Sequence, residues 1–128
     1  MNSKSDLIDS LLPLREPTFF ILLSLAAGEQ NHAPKHGYAI LKDVEMLSRN
    51  KMRLSTSTLY EALARLLDQK LIERFDEPAE GDEAGNNPGK ARKTYRLSHL
   101  GRRVLEADRT RMQTLLETVN SVLTNPAG

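Results

Sequence analysis

The 128-residue chain carries 18 basic and 17 acidic side chains, for a formal charge of +1, and 39% of its residues are hydrophobic. This composition is typical of a globular domain and excludes a disordered chain. Cysteine is absent, which excludes a disulfide scaffold, a thiolate zinc site and a cysteine nucleophile. No apolar run approaches the roughly 20 residues that span a bilayer, and the first residues lack a signal-peptide pattern. We therefore expect one soluble, cytoplasmic domain without a membrane segment.

The small net charge conceals a segregation along the chain. Residues 76–89 hold five acidic side chains and no basic one, whereas residues 90–111 hold eight basic and two acidic ones. A basic patch beside an acidic loop is the kind of local footprint that binds nucleic acid. The same charges could equally solvate a surface, so this pattern alone does not decide the function.

Three helices are predicted in the first half of the chain. Proline suits a first helical turn and glycine a helix end, so Pro17 to Ala27 is predicted as a mostly buried helix. Residues 29–37 are polar and form a connection, with His36 placed at the start of the next helix. That second helix is predicted from Gly37 to about Ser48 by its apolar stripe, Ile40, Leu41, Val44 and Leu47.

A third helix is predicted from Ser55, a good N-cap residue, to about Gln69 or Lys70. It is amphipathic, because its apolar residues fall at i, i+3, i+4 and i+7: Leu59, Ala62, Leu63 and Leu66. The opposite face is short and light for a solvated helix, as expected of a surface that another molecule approaches closely; it carries Ser57, Tyr60, Glu61, Ala64 and Arg65.

The second half is predicted as a hairpin followed by a long helix. Residues 71–75 form a short alternating strand, residues 76–91 a loop, and Tyr95 and Leu97 alternate with polar residues in a second strand. The final helix spans residues 98–124 and is followed by a tail, 125–128. Its seam has heptad spacing over about three repeats and is interrupted once by Asp108.

The predicted fold class is therefore mainly α with a small β-hairpin. Three helices and a two-stranded wing, residues 16–97, describe a winged helix-turn-helix, whose third helix enters the DNA major groove. The last helix follows as a dimerisation element. Residues 1–15 form an N-terminal segment that we assign, as a helix, to the same interface. The residues expected there are Leu7, Leu11, Leu105, Met112, Leu115, Val119 and Val122.

Four segments carry a resemblance to a known family. They are FFILLSLAAGE, HGYAIL, LSTSTLYEALARLLDQKLIER and KTYRLSHLGRRVLE, which together cover about residues 16–106. The sequence resembles the PadR family of bacterial transcription regulators, and its single C-terminal helix resembles the family's shorter subtype. The resemblance implies a homodimer that binds a palindromic operator, usually as a repressor, and is released by a small effector, whose identity the sequence does not give. No cofactor is implied.

The resemblance also implies which residues meet DNA. At the second and third helices these are Tyr38, Ser55, Ser57, Thr58 and Tyr60, and at the wing they are Lys90, Arg92 and Lys93. Hydroxyls and free amides at a helix N-terminus suit phosphate oxygens. The long acidic loop departs from the shorter, more basic turn general in the family, so we expect the basic second strand to meet DNA rather than the tip.

Each assignment has a structural alternative. Ser55 could only cap the helix, Thr58 and Tyr60 could only pack, and the wing bases could pair within the hairpin. Glu61 could read a cytosine amine or turn into a salt bridge, and we favour the salt bridge.

Other classes of function have less support. His32, His36 and His99 lack the spacing of a metal site, and no catalytic arrangement can be placed on these elements, so we expect no enzyme. The main alternative is a winged-helix module that binds a protein through its third helix, where only Arg65 is basic. A third is a DNA-binding protein that responds to no ligand.

Overall fold

The computed structural model describes residues 4–30, 33–78 and 91–124. The chain forms helix α1 (Lys4–Ser10), helix α2 (Glu16–Glu29), strand β1 (Lys35–His36), helix α3 (Gly37–Leu47), helix α4 (Thr56–Asp68), strand β2 (Ile72–Pro78), strand β3 (Ala91–Leu97) and helix α5 (His99–Leu123). This order confirms the predicted winged helix-turn-helix with a long final helix. Lys90, the loop residues 79–89 and the tail 125–128 lie outside the described residues.

The wing differs from the prediction in strand number and length. β1 pairs with β3, with Lys35 opposite Tyr95, so the sheet has three antiparallel strands in the order β1-β3-β2. β2 and β3 pair from Ile72 opposite Leu97 to Pro78 opposite Ala91. Residues 76–78 and 91 therefore belong to strands rather than to the loop. A two-residue strand leaves no alternation to detect, which is why β1 was not predicted.

One hydrophobic core joins the helices to the sheet. The predicted stripe of α4 is buried, and so are Ile40 and Val44 of α3. From the sheet, Ile72, Tyr95 and Leu97 enter the same core, and each is 3% exposed. The face of the sheet that carries these three residues is therefore the one that packs on the helices. We call it the inner face.

Pro17 and Ser55 act at the helix starts as predicted, whereas α2 continues past Gly28, the predicted helix end, to Glu29. Pro17 lies in the first turn of α2, where its missing N–H leaves no bond unmade. Ser55 caps α4, since its hydroxyl accepts from the Thr58 amide at 3.1 Å. Ser98 caps α5 in the same way, accepting from the Gly101 amide at 2.9 Å.

Ser98 also ties the start of α5 to the end of α4. Its hydroxyl donates to the Lys70 carbonyl at 2.7 Å, and its amide donates to the Leu71 carbonyl at 3.0 Å. Lys70 has a φ of 64°, the left-handed conformation that turns the chain from α4 into β2. Gly101 lies so close to Leu71 that a Cβ there would overlap the Leu71 carbonyl oxygen. The two turns therefore form a single tight joint.

A polar network inside the domain holds α2, α3 and β1 together. The fully buried Ser24 donates its hydroxyl to Asp43 Oδ2 at 2.8 Å. Lys35 of β1 forms an ion pair with the same carboxylate oxygen. This network satisfies a buried hydroxyl and fixes β1 at the edge of the sheet, immediately before α3.

Helix α5 has two parts. Its first half packs on the core through Val104 and Leu105, whereas every residue from 113 to 124 is exposed. The exposed part extends about 16 Å beyond the core. Asp108, which interrupts the heptad seam, is fully buried in the first half, and its Oδ1 accepts from Arg111 Nε at 2.7 Å. Among the described residues, no partner reaches its Oδ2.

Candidate nucleic-acid interface

The turn between α3 and α4 sets the orientation of α4, the candidate recognition helix. Arg49 and Asn50 both adopt the left-handed conformation, with φ of 56° and 64°. Asparagine takes this conformation readily, whereas an arginine there is uncommon. Ser48 fixes the turn, because its hydroxyl accepts from the Met52 amide at 3.0 Å. The chain thus leaves α3 in a defined direction before it enters α4.

The first turn of α4 presents small hydroxyl side chains at the surface. The Ser55 hydroxyl lies 2.8 Å from Thr58 Oγ1 and 3.2 Å from Ser57 Oγ, in addition to its capping bond. Ser55 therefore does cap the helix, as its structural alternative supposed. Ser57 and Thr58 are exposed, so Thr58 is not a core residue. Exposed hydroxyls around free amides at a positive helix end form a surface that suits an anion.

The rest of the predicted outer face of α4 is also exposed, namely Tyr60, Glu61, Ala64 and Arg65. Glu61 forms no ion pair with any described residue, so the salt bridge expected for it is not observed. The face combines one acid, one base and small or aromatic side chains. It is the only described face of α4 that another molecule can reach, because the opposite stripe is buried.

Tyr60 both packs and remains partly accessible. A Cβ placed on Gly37 would overlap its hydroxyl and lie 2.9 Å from its Cζ, so the ring rests directly on the first residue of α3. The side chain is nevertheless 44% exposed. Tyr60 thus combines the packing role and the surface role that the sequence left open.

Helix α3 adds a second exposed aromatic and a cation. Tyr38 is 69% exposed, and the Lys42 amine lies 5.6 Å from the centre of its ring. Lys42 was not among the residues predicted to meet DNA. Its spacing of four residues from Tyr38, which places both on one side of a helix, is the signal that could have identified it.

The wing cations do not share one direction. Arg92 and Lys93 are both exposed, but successive residues of a strand point to opposite faces. Lys93 lies directly opposite Asp76. It is two residues from Tyr95 on the same strand, so it lies on the inner face. Arg92 lies on the other face, with Thr94 and Arg96. Lys90, the third predicted wing residue, is outside the described residues.

Tyr95 marks where the inner face meets α4. Burial raises the pKa of Tyr95, and its neighbour Tyr60 raises it further. The buried stripe of α4 belongs to the same hydrophobic core as Ile72, Tyr95 and Leu97, which places α4 on the side of the inner face. Within the described ranges, no set of three metal-ligating side chains comes together, and no helix has the length and apolarity to cross a bilayer.

Comparison with known proteins identifies the family. The sequence matches the transcriptional regulator PadR-like family over residues 22–107. The chain belongs to this family. The resemblance seen in the sequence is thereby confirmed, and the family's role in transcription favours DNA over a protein partner as the target of α4. No match was found among curated proteins.

Solved structures of other regulators share the fold. A PadR family transcription regulator from Clostridium difficile R20291 superposes with a TM-score of 0.63 at 23% identity, covering 85% of this chain and 99% of that one. A PadR family transcriptional regulator from Eggerthella lenta gives a TM-score of 0.57 at 26% identity, covering 93% and 94%. A transcriptional regulator from Clostridium thermocellum gives 0.61 at 20%, covering 95% and 98%.

The residues predicted for a dimer interface of this PadR-family chain fall into three groups, exposed, buried and half-buried. Leu115, Val119 and Val122 are 52%, 47% and 68% exposed, and Leu7 of α1 is 46% exposed. Leu105 differs from the prediction: it is 8% exposed and belongs to the core of its own chain. Leu11 and Met112 are half-buried, Leu11 against the same core. Leu116 and Leu123, not predicted, extend the exposed apolar face of α5.

Proposed function

We propose that this PadR-family regulator is a homodimeric repressor that binds a palindromic operator and is released by a small effector. The observation that carries the DNA-binding part is the exposed first turn of α4, where Ser57 and Thr58 surround a capped helix N-terminus. Phosphate oxygens accept from such hydroxyls and amides. In this proposal α4 enters the major groove, with Tyr38, Ser55, Ser57, Thr58 and Tyr60 at the DNA and Lys90 and Lys93 at the wing.

The proposed dimer is supported by the overhanging half of α5. Five large apolar side chains are exposed there within three helical turns, and their burial against a second copy would remove them from water. Between α2 and α5 lies an apolar groove of about 210 Å³, lined by Phe19, Leu23 and Met112 among others, next to the same surface. Two copies of α4 would then read half-sites about 34–36 Å apart.

Dimerisation and effector release complete the proposal. Two domains double the number of phosphate contacts and hence the salt-dependent part of the affinity. An effector bound between the chains would change the separation of the two α4 helices and lower operator affinity. The site of action would be the cytoplasm, where operator DNA lies.

The test measures binding to the intergenic DNA upstream of the protein's own gene. Binding is measured by fluorescence anisotropy at about 50 and about 200 mM salt. We expect tight binding that resists random competitor and weakens steeply with salt. Ser57→Glu places an acid among the proposed phosphate contacts and should weaken binding more than tenfold. Its control is Gln113→Glu, the same added charge on α5. Affinity no higher than for random DNA, or equal binding by both variants, would contradict the proposal.

A further inference from the structure

The inner face of the sheet continues beyond the core towards the end of the wing. Because side chains alternate along a strand, the face that buries Ile72 and Tyr95 continues through Arg74, then Asp76 and Lys93. Arg74 lies directly opposite Tyr95, and Asp76 lies directly opposite Lys93. All three charged residues are exposed.

The outer face carries the alternate residues, and its central cation is already engaged. Arg96 forms an ion pair with Glu73 at 3.3 Å, and its guanidinium lies 4.5 Å from the centre of the Phe75 ring. Arg92 lies two residues further along the same face. This face points away from the side on which Ile72, Tyr95 and Leu97 pack against the helices.

The charges of the inner face compete with one another. Arg74 Nε lies 3.6 Å from Asp76 Oδ1, and both side chains are about half exposed. Lys93 forms no ion pair with any side chain that the structure describes, although its cross-strand neighbour is the same Asp76. Opposite charges at directly opposed positions attract weakly across exposed strands. One carboxylate therefore stands between two cations, leaving a surplus of one positive charge on the side of α4.

We propose that Arg74 and Lys93 form the phosphate contact of the wing, that Asp76 limits it by holding one of the two cations in the free protein, and that Arg92 takes no part. This rests on the proposed function, and it changes the wing contact in two ways. Arg74, in the first strand, joins the interface. Arg92, predicted there from the sequence, leaves it.

The test uses a random-sequence 40-base-pair duplex, because phosphate contacts do not depend on sequence. The slope of log Kd against log salt is measured between about 50 and 200 mM for the wild type and four variants. Arg74→Ala and Lys93→Ala should each lower the slope by about one per bound chain, or about two for a bound dimer, so that the Kd of the dimer changes about 12-fold less over this range. Arg92→Ala, the matched control on the outer face, should leave the slope unchanged. Asp76→Asn should tighten binding and steepen the slope.

The outcomes separate this assignment from the proposed function. If Arg92→Ala lowers the slope as much as Arg74→Ala, or if Asp76→Asn leaves binding unchanged, the assignment is overturned while DNA binding stands. If the wild type binds duplex DNA with no salt dependence, the proposed function fails as well. Circular dichroism melting curves verify that all four variants are folded, which is expected because every substituted side chain is exposed.

Discussion

The hydroxyl of Tyr60 occupies the space into which a Cβ on Gly37 would project. This contact joins α4 to the first residue of α3. Alanine normally stabilises a helix by up to about 1 kcal/mol relative to glycine. Here it would displace the tyrosine ring that sets the position of α4.

We therefore expect Gly37→Ala to destabilise the protein and to do so only when Tyr60 is present. In a double-mutant cycle with Tyr60→Ala, measured by urea unfolding, the coupling free energy should be about 1 kcal/mol. Additive effects of the two substitutions would show that the ring does not rest on Gly37.

Gly101→Ala should be much more damaging than Gly37→Ala. The added Cβ would overlap the Leu71 carbonyl oxygen and lie 3.0 Å from the Leu71 carbonyl carbon, and backbone cannot move aside as a side chain can. We expect a loss of at least about 2 kcal/mol in the free energy of unfolding. Arg109→Ala, an exposed change on the same helix, should stay within about 0.5 kcal/mol of wild type. Similar urea midpoints for the two variants would contradict the tight joint.

Removal of Arg111, the partner of Asp108, should lower the free energy of unfolding more than removal of Arg111 together with the charge of Asp108. Arg111→Ala leaves a fully buried carboxylate without its hydrogen-bonded cation, and we expect a loss of about 2 kcal/mol. Adding Asp108→Asn to that variant should recover most of the loss, because the buried group is then neutral. Unfolding by urea at pH 7 measures both. A double variant no more stable than Arg111→Ala would show that the charge is not the cause.

Charged residues on the apolar face of α5 should separate the proposed dimer. Leu115→Glu with Val119→Glu should give monomers in sedimentation experiments and weaken operator binding, while the melting temperature of the domain stays near that of the dissociated wild type. Gln113→Glu with Ser121→Glu adds the same charge on the opposite side of the helix and should leave a dimer. An unchanged mass for the first pair would place the interface elsewhere.

Stability at alkaline pH should depend on Tyr95. Burial raises the pKa of Tyr95 in the folded protein above the 10.0 of an exposed tyrosine. The folded state therefore keeps this proton more tightly than the unfolded chain does. The stability that this raised pKa contributes is complete below pH 10 and is lost as the pH rises through the pKa of the folded protein. Tyr95→Phe should lose less stability than wild type between pH 9 and 11 in urea titrations. Parallel curves would mean that the hydroxyl is not desolvated.

The amphipathic helices were predictable because their buried residues repeat with the helical period. Leu59, Ala62, Leu63 and Leu66 all enter the core, and Ser55 caps α4 as predicted. Two things were not predictable from period alone. β1 is too short to alternate, and Leu105 lies on the heptad seam but reaches the core of its own chain before any partner.

The sequence predicted which types of residue lie at the candidate site, but not the face of the sheet to which each wing side chain points. Serine, threonine and tyrosine near the start of α4 are surface residues, as their chemistry suggested. The sequence shows that Arg92 and Lys93 must point to opposite faces, but only the burial of Ile72, Tyr95 and Leu97 shows which face turns towards α4. Arg74 was missed for the same reason.

The joint at Ser98 makes α5 a lever. Its 25 residues form a rod about 38 Å long, and the near end is clamped to the turn that closes α4. A tilt of about 5° at the joint moves the far end by about 3 Å, from the rise per residue and the helix length. The same geometry works in reverse, because a small displacement imposed on the distal apolar face reorients α4 as a rigid body. In a dimer, the angle between the two α5 helices would therefore set the distance between the two α4 helices, because the joint at Ser98 connects α5 to α4 without a flexible linker in the described residues.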